Sequence, residues 1–257
     1  MNLEEAITLL KGDFGKELLH NARNYAIPLA WGIEESGEWT ILSNGTAFIL
    51  DCGQGPFLVT AAHVYEGYLE AREEHPVLRC QLGILEFRLE ERLICTLGQT
   101  VLDIATFKIE PDEIAALNKQ ICHGPVEWPP RNAAERDAVF FGGFPGVERR
   151  QIAEDTINQG FYVALTPVSS SSDRQFGCAF ERENWIDTLG HGIPAEDYDL
   201  GGVSGGPMFL LNESESGIFS WHIIGVVYNA TNALGEIVLA HHVSSIKADG
   251  SLIAPAR

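Results

Sequence analysis

The chain is 257 residues long and 45% hydrophobic, with 17 basic and 36 acidic residues and a formal charge of −19. An acid excess of this size, with no cluster of Lys or Arg, disfavours nucleic acid as a partner and points to solubility or to attraction of basic substrates. No apolar run approaches a membrane span, and the acidic start Met1-Asn2-Leu3-Glu4-Glu5-Ala6 lacks the positive region and apolar core of a secretory signal.

The five cysteines (Cys52, Cys80, Cys95, Cys122 and Cys178) are odd in number, widely spaced and free of any C-x-x-C pair. Neither a disulfide framework nor a zinc site is implied, and a reducing cytoplasm is the expected setting. No metal and no organic cofactor is expected.

In chain order, Leu3, Ile7, Leu10, Phe14 and Leu18 recur at spacings of three and four. This predicts an amphipathic N-terminal helix, or two helices broken near Gly12-Asp13, packed on the outside of the main domain. From Ile27 the period falls to about two, in Leu29-Trp31-Ile33, Trp39-Ile41 and Thr46-Phe48-Leu50, with Ser43-Asn44-Gly45 read as a turn. Phe57–Thr60 is a further strand, followed by Ala61-Ala62-His63-Val64 and a helical turn. More strands are expected at 77–82, 84–89, 93–97 and 101–109, and a short helix at 112–119. The stretch His123-Gly124-Pro125 to Pro129-Pro130-Arg131 is rich in breakers and reads as a linker. A second group of strands follows at 138–142, 151–158, 160–166, 208–211, 222–228 and 237–243. Residues 173–200 read as a mixture of aromatic patches and turns. The expected organisation is a helical arm (1–25), a strand-rich half (26–122), a linker (123–136) and a second strand-rich half (137–257). Many short strands with regular turns argue for barrels or sandwiches.

The stretch with chemical content is Gly201-Gly202-Val203-Ser204-Gly205-Gly206-Pro207. Glycines are kept where backbone approaches something closely or adopts positive φ, so four of them around one hydroxyl suggest a backbone nest beside a reacting atom. A glycine-rich turn is the plainer alternative. A nucleophilic serine needs a base, and the base needs an orienting acid. Among the eight histidines, His63 stands at the end of a strand next to two small residues. Asp103 interrupts the apolar run Val101-Leu102-Asp103-Ile104-Ala105, where a carboxylate requires a hydrogen-bonding partner. An imidazole N–H or a backbone N–H would serve.

Thr60-Ala61-Ala62-His63, Asp103-Ile104-Ala105 and Gly202-Val203-Ser204-Gly205-Gly206-Pro207 together resemble the three signature blocks of the chymotrypsin/trypsin-like serine proteases. The order His, Asp, Ser is that family's order, and the resemblance spans residues 27–246. It implies an all-β fold of two antiparallel six-stranded β-barrels with an added N-terminal helix. It implies a serine endopeptidase in which Ser204 attacks the scissile carbonyl, His63 moves the proton and Asp103 orients His63. The N–H groups of Gly202 and Ser204 would form the oxyanion hole. Tyr228-Asn229-Ala230 resembles the family's substrate-pairing strand.

The departures from the family are equally specific. Val203 stands where secreted, zymogen-activated members have Asp, and Val64 stands where they have a cysteine. Both point to a bacterial or intracellular type, and no PDZ-like repeat follows Val243. The family's pocket-base acid, six residues before the serine, corresponds to Tyr198, with Asp199 and Asp197 on either side. Either Asp could reach the pocket by a one-residue loop shift, or both are solvated loop acids. His241 and His242 lie on opposite faces of the last strand. His241 is a candidate pocket residue, with a packed histidine as its alternative. The expected partners are a protein or peptide substrate and an activating protein, with no nucleic acid and no membrane. The alternative function is a latent or partner-activated protease-fold module.

Overall fold

The computed structural model describes residues 3–35, 38–125, 127–153, 156–180, 186–187, 192–195, 198–231 and 236–254. Two helices open it, α1 (Leu3–Lys11) and α2 (Asp13–Tyr25), and the break between them falls at Gly12, the N-cap of α2. The first half continues with β1 (Ala26–Glu35), β2 (Glu38–Asp51), β3 (Pro56–Thr60), α3 (Ala62–Glu74), β4 (Arg79–Leu82) and β5 (Leu85–Glu86). It ends with α4 (Leu89–Arg92), β6 (Leu93–Thr96), β7 (Ala105–Lys108), α5 (Pro111–Leu117) and β8 (Cys122–His123). The second half holds β9 (Ala138–Gly143), β10 (Arg149–Ala153), β11 (Thr156–Gln159), β12 (Tyr162–Pro167), β13 (Ser170–Ser171) and β14 (Gln175–Phe180). After the serine loop come β15 (Pro207–Glu213), β16 (Phe219–Thr231) and β17 (Glu236–His242).

The strands form two large sheets. The first runs β5-β4-β1-β2-β3-β7-β6 with β8 added on β2, and the second runs β12-β9-β15-β16-β17-β14-β13. Apart from the parallel β8 ladder, every pairing is antiparallel. Each sheet reduces to six strands once the two-residue strands β5, β8 and β13 are set aside.

Both sheets roll up. In the first, Leu85 from one end of the path and Leu93 from the other pack on one cluster, with Leu29, Ile49, Leu58 and Phe107 inside it. In the second, the Thr166 hydroxyl of β12 donates to the Ala179 carbonyl of β14 at 3.1 Å and joins the ends of the sheet. Its interior holds Phe141, Ala164, Cys178, Met208, Ile224 and Val238. This is the two-barrel, chymotrypsin-like fold.

A third cluster lies between the barrels and explains why several strands are apolar on both faces. Ala47 and Ile49 point into the first barrel, while Phe48 and Leu50 point away to meet Phe140, Phe209 and Val226 of the second. Phe140 stacks on Phe209 with ring centroids 5.0 Å apart, a geometry worth about 0.5–1.5 kcal/mol beyond burial. Helix α2 caps this seam with Leu18, Leu19 and Ala22, so its apolar face covers the protein's own core. Burying a leucine such as Leu18 contributes roughly 1.5–3 kcal/mol. The C-terminal segment returns to the same seam. Ile246 and Leu252 join the cluster, and Thr106 of β7 donates to the Gly250 carbonyl at 2.7 Å.

Four local expectations change. Ser43-Asn44-Gly45 is no turn: Ser43, Asn44 and Gly45 continue β2 and pair with Trp31, Ala30 and Leu29, with a bulge after Trp31 absorbing the irregularity. The helix after His63 is thirteen residues long. Val101 to Ile104 precede β7 rather than belonging to it. The stretch read as patches and turns contains the well-paired strand β14.

Candidate active site

His63 is the second residue of α3, and Asp103 is the anchor that fixes it. One carboxylate oxygen, Oδ1, accepts the His63 backbone N–H at 2.8 Å, and the other, Oδ2, sits 2.8 Å from His63 Nδ1. Ala61, at the N-cap, supplies no side-chain acceptor, so Asp103 caps the helix from a distant loop. The same contact places the proton on Nδ1 and leaves Nε2 as the acceptor. Asp103 is 5% exposed, whereas the His63 side chain is 34% exposed and faces the cleft. Asp103 in turn receives support from behind. Its own backbone N–H donates to Nε2 of His241 at 3.2 Å.

Ser204 lies across the seam on the second barrel. The loop that carries it is held by Thr46 of β2, which is fully buried. The Thr46 hydroxyl donates to the Gly202 carbonyl at 2.7 Å and accepts from the Phe144 N–H at 3.0 Å. The Thr46 N–H donates to the Ser204 carbonyl at 2.9 Å. Gly202 and Gly205 take positive φ, 102° and 87°. A methyl group at Gly202 would strike the Asn44 amide and the Phe144 carbonyl, and one at Gly205 the Thr46 carbonyl and Thr60 hydroxyl. The glycines are therefore demanded by backbone conformation and close approach together.

The loop leaves two N–H groups unspent. The Gly201 carbonyl accepts from Gly146 N–H at 2.7 Å, and the Val203 carbonyl from Gly206 N–H at 2.9 Å. In a trans peptide the N–H points opposite its carbonyl, so the N–H groups of Gly202 and Ser204 turn away from those contacts. Neither donates to an acceptor among the described residues. Two free donors flanking a hydroxyl are what an oxyanion requires. The Ser204 hydroxyl itself donates to the Tyr228 carbonyl at 3.4 Å, rather than to His63 Nε2.

Two grooves meet at Ser204, and His63, Ser204 and Gly201 line both. One continues along Tyr228, Asn229 and Ala230, with Gln99 and Leu200 opposite. Here β16 extends beyond its ladder with β15, which ends at Val226. Among the described residues, Asn229 and Ala230 pair only with β17, which leaves a main-chain edge without a strand partner there. The other groove is lined by Trp31, Asn44, Val64, Arg149, Asp199 and Gly202.

The remaining candidates fall as follows. Tyr228, Asn229 and Ala230 lie in the first groove. Tyr198 lines neither groove. Its ring packs beside Tyr162, and its hydroxyl donates to Glu148 at 2.9 Å. Asp199 lines the second groove, on the far side of Ser204 from Tyr228, and its Oδ1 accepts the Gly201 N–H at 2.7 Å. A pocket-base acid beside Tyr228 is therefore not supplied by Tyr198 or Asp199, and Asp197 lies outside the described residues.

His241 lines neither groove. It is buried behind the site, its Nδ1 bonds the Arg174 carbonyl at 3.2 Å, and its ring stacks on Tyr228 at 4.2 Å. Burial pushes its pKa below 6.5, against the opposing effects of the Arg174 carbonyl and Asp103. Val203 is fully buried in the second-barrel cluster, and Val64 is buried in the first. Thr46, Asn44, Gln99 and Arg149 also belong to this region, outside any sequence motif. A threonine at a core register position is the one hint the sequence offers.

No family model matches the sequence, and no curated protein matches it. Among solved structures, the fold is similar to the serine protease domain of the Sesbania mosaic virus polyprotein. The two share 12% identity over 86% of this chain and 90% of that one, with a TM-score of 0.43. It is also similar to the thermostable serine protease AL20 from an extremophilic microorganism, at 11% identity over 86% and 92% of the two chains, with a TM-score of 0.46. A third similar structure concerns coupled folding and binding of the intrinsically disordered Sesbania mosaic virus VPg protein, at 12% identity over 86% of each chain and a TM-score of 0.43.

Proposed function

We propose that the protein is a serine endopeptidase that cleaves extended peptides through an acyl-enzyme on Ser204. The observation that carries this reading is the two-point grip of Asp103 on His63, both contacts at 2.8 Å, beside a serine flanked by two free N–H groups. In this reading a peptide adds to the open edge at residues 228–230 as an extra strand. Rotation of the Ser204 side chain brings Oγ from the Tyr228 carbonyl to His63 Nε2. Oγ then attacks the carbonyl carbon while His63 takes its proton, and the developing oxyanion is received by the N–H groups of Gly202 and Ser204. His63 passes the proton to the leaving amine, and water repeats the sequence to release the acyl group. The five cysteines are free, which supports an intracellular setting for this activity.

The test is covalent labelling by a fluorophosphonate, with the modified residue mapped by mass spectrometry, together with turnover of a peptide library. Labelling at Ser204, and loss of labelling and cleavage in Ser204→Ala, is the expected result. Labelling at another serine sinks the assignment. A second reading, a site that is latent until substrate or a partner protein arrives, is favoured by the Ser204 hydroxyl resting on Tyr228 rather than on His63. It predicts slow labelling that accelerates when a partner or peptide is added.

A further inference from the structure

Arg149 opens β10 and is half-buried in the groove that contains Ser204, His63 and Gly202. Its Nη1 donates to Asn44 Oδ1 at 3.1 Å. Asn44 Nδ2 donates to the Phe144 carbonyl at 2.7 Å, which fixes the oxygen end of the amide towards the guanidinium. Thus Asn44, wedged against Gly202, aims the arginine. The amide occupies one donor of a fork that carries five, and that fork matches a carboxylate geometrically.

Arg149 has no acidic partner among the described residues. The chain has 36 acidic residues, and Arg72, Arg79, Arg88, Arg92 and Arg131 each pair with at least one. Asp199, the acid that lines this groove, and Glu148, the chain neighbour of Arg149, are both engaged elsewhere. Glu148 accepts from the Tyr198 hydroxyl at 2.9 Å, and Asp199 from the Gly201 N–H at 2.7 Å. Burial lowers the Arg149 pKa, the mark of a cation that has lost solvent without gaining a counter-ion. Among the described residues, the groove on the other side of Ser204 is lined by no Lys or Arg and by no acid but Asp103. Asp199 is exposed, so water screens its repulsion of an incoming acid.

We propose that Arg149 selects an aspartate or glutamate immediately C-terminal to the bond that Ser204 cleaves. This rests on the assignment of Ser204 as nucleophile and of the open β16 edge as the site for the acyl half of the substrate. The leaving half then lies in the second groove, against the Arg149 fork. The substrates are acidic on their leaving side, and Arg149 is a specificity-determining residue.

Acyl transfer reads this groove alone. An activated ester, p-nitrophenyl acetate, loads an acetyl group on Ser204 Oγ with release of p-nitrophenol. An added amino-acid amide then attacks the acyl carbon through its amine, the carbon–Oγ bond breaks, and His63 carries the amine's proton to Oγ. Capture by glutamic acid α-amide is compared with capture by lysine amide, each as a ratio to hydrolysis by water. The expected preference for the glutamic amide is roughly 10- to 100-fold, the range of a charge-assisted hydrogen-bonded pair. Arg149→Glu reverses the order, and Arg149→Gln flattens it. Equal capture of both amides, with normal fluorophosphonate labelling of Ser204, overturns the role of Arg149 alone. Absence of both labelling and ester turnover overturns the nucleophile assignment, and this proposal with it.

Discussion

The backbone N–H of Asp103 donates to His241 Nε2 at 3.2 Å, and the ring of His241 lies flat on Tyr228, whose carbonyl accepts the Ser204 hydroxyl. One imidazole from the last strand of the second barrel thus contacts both Asp103 of the first and the ring of Tyr228, the residue on whose carbonyl Ser204 rests. His241→Phe keeps the stack but leaves a buried N–H without an acceptor. The expected cost is about 1–3 kcal/mol in stability by denaturant titration. Cleavage is expected to fall mainly in kcat, because the ring orients groups and does not line either groove. Unchanged stability and unchanged kcat would refute the contact.

His241 and His242 are locked as neutral rings of opposite tautomer. His241 donates through Nδ1 to Arg174 and accepts at Nε2. His242 Nε2 donates to the Ser172 carbonyl at 2.9 Å, and its Nδ1 accepts from Ala133 N–H at 3.4 Å. Burial depresses the pKa of both below 6.5. The unfolded chain therefore binds more protons than the native one once the pH falls below 6.5, so stability is full above that value and declines as pH falls through the depressed folded values. Denaturation midpoints should drop between pH 7.5 and pH 5.5, before the carboxylates titrate. The slope should be shallower in His242→Phe, whose ring can keep the stack on Phe176.

Thr46 holds the Ser204 loop from the opposite barrel through its hydroxyl and its N–H, while its carbonyl accepts from Thr60 Oγ1 of its own barrel at 2.6 Å. Thr46→Val preserves shape but strips the hydroxyl, leaving the Phe144 N–H and the Gly202 carbonyl unpaired. A loss of about 1–3 kcal/mol in stability is expected. A drop in kcat of roughly 10-fold or more is expected with it, since the loop that carries the Gly202 and Ser204 N–H groups loses one of its anchors. Thr46→Ser, which keeps the hydroxyl, should recover most of both. Failure of serine to rescue would place the effect in packing instead.

What could be read along the chain was whatever a local pattern can carry. The glycines around Ser204 and the carboxylate inside the apolar run at Asp103 are each improbable without a partner, and the structure brings both to one seam. What could not be read depends on contacts between distant residues. Thr46 and Gly202 are separated by 156 positions, and nothing near Thr46 announces the bond. Counting back from Ser204 to Tyr198 and Asp199 assumed a loop conformation, and that loop instead sends Tyr198 towards Glu148 and Asp199 into the second groove. Asn44 read as a turn residue because Ser-Asn-Gly commonly turns a chain, whereas sheet pairing with Ala30 overrides that preference here.

Val203 separates this site from those that mature by forming a new ion pair, and its surroundings make the difference testable. Its side chain is fully buried among apolar residues of the second barrel, against Gly143, whose lack of a Cβ makes room for it. Aspartate at this position would bury a carboxylate among these apolar side chains. An uncompensated buried charge of this kind costs on the order of 3–5 kcal/mol. Val203→Asp is therefore expected to lose that much stability and to abolish Ser204 labelling, because the residue immediately precedes Ser204. Val203→Ile, which stays apolar, is expected to cost about 1–3 kcal/mol by overpacking and to retain labelling. The check is a denaturant midpoint together with fluorophosphonate labelling for each variant. A stable, labelled Val203→Asp protein would show that a cation reaches this position, and that the loop is built to be switched by a charge after all.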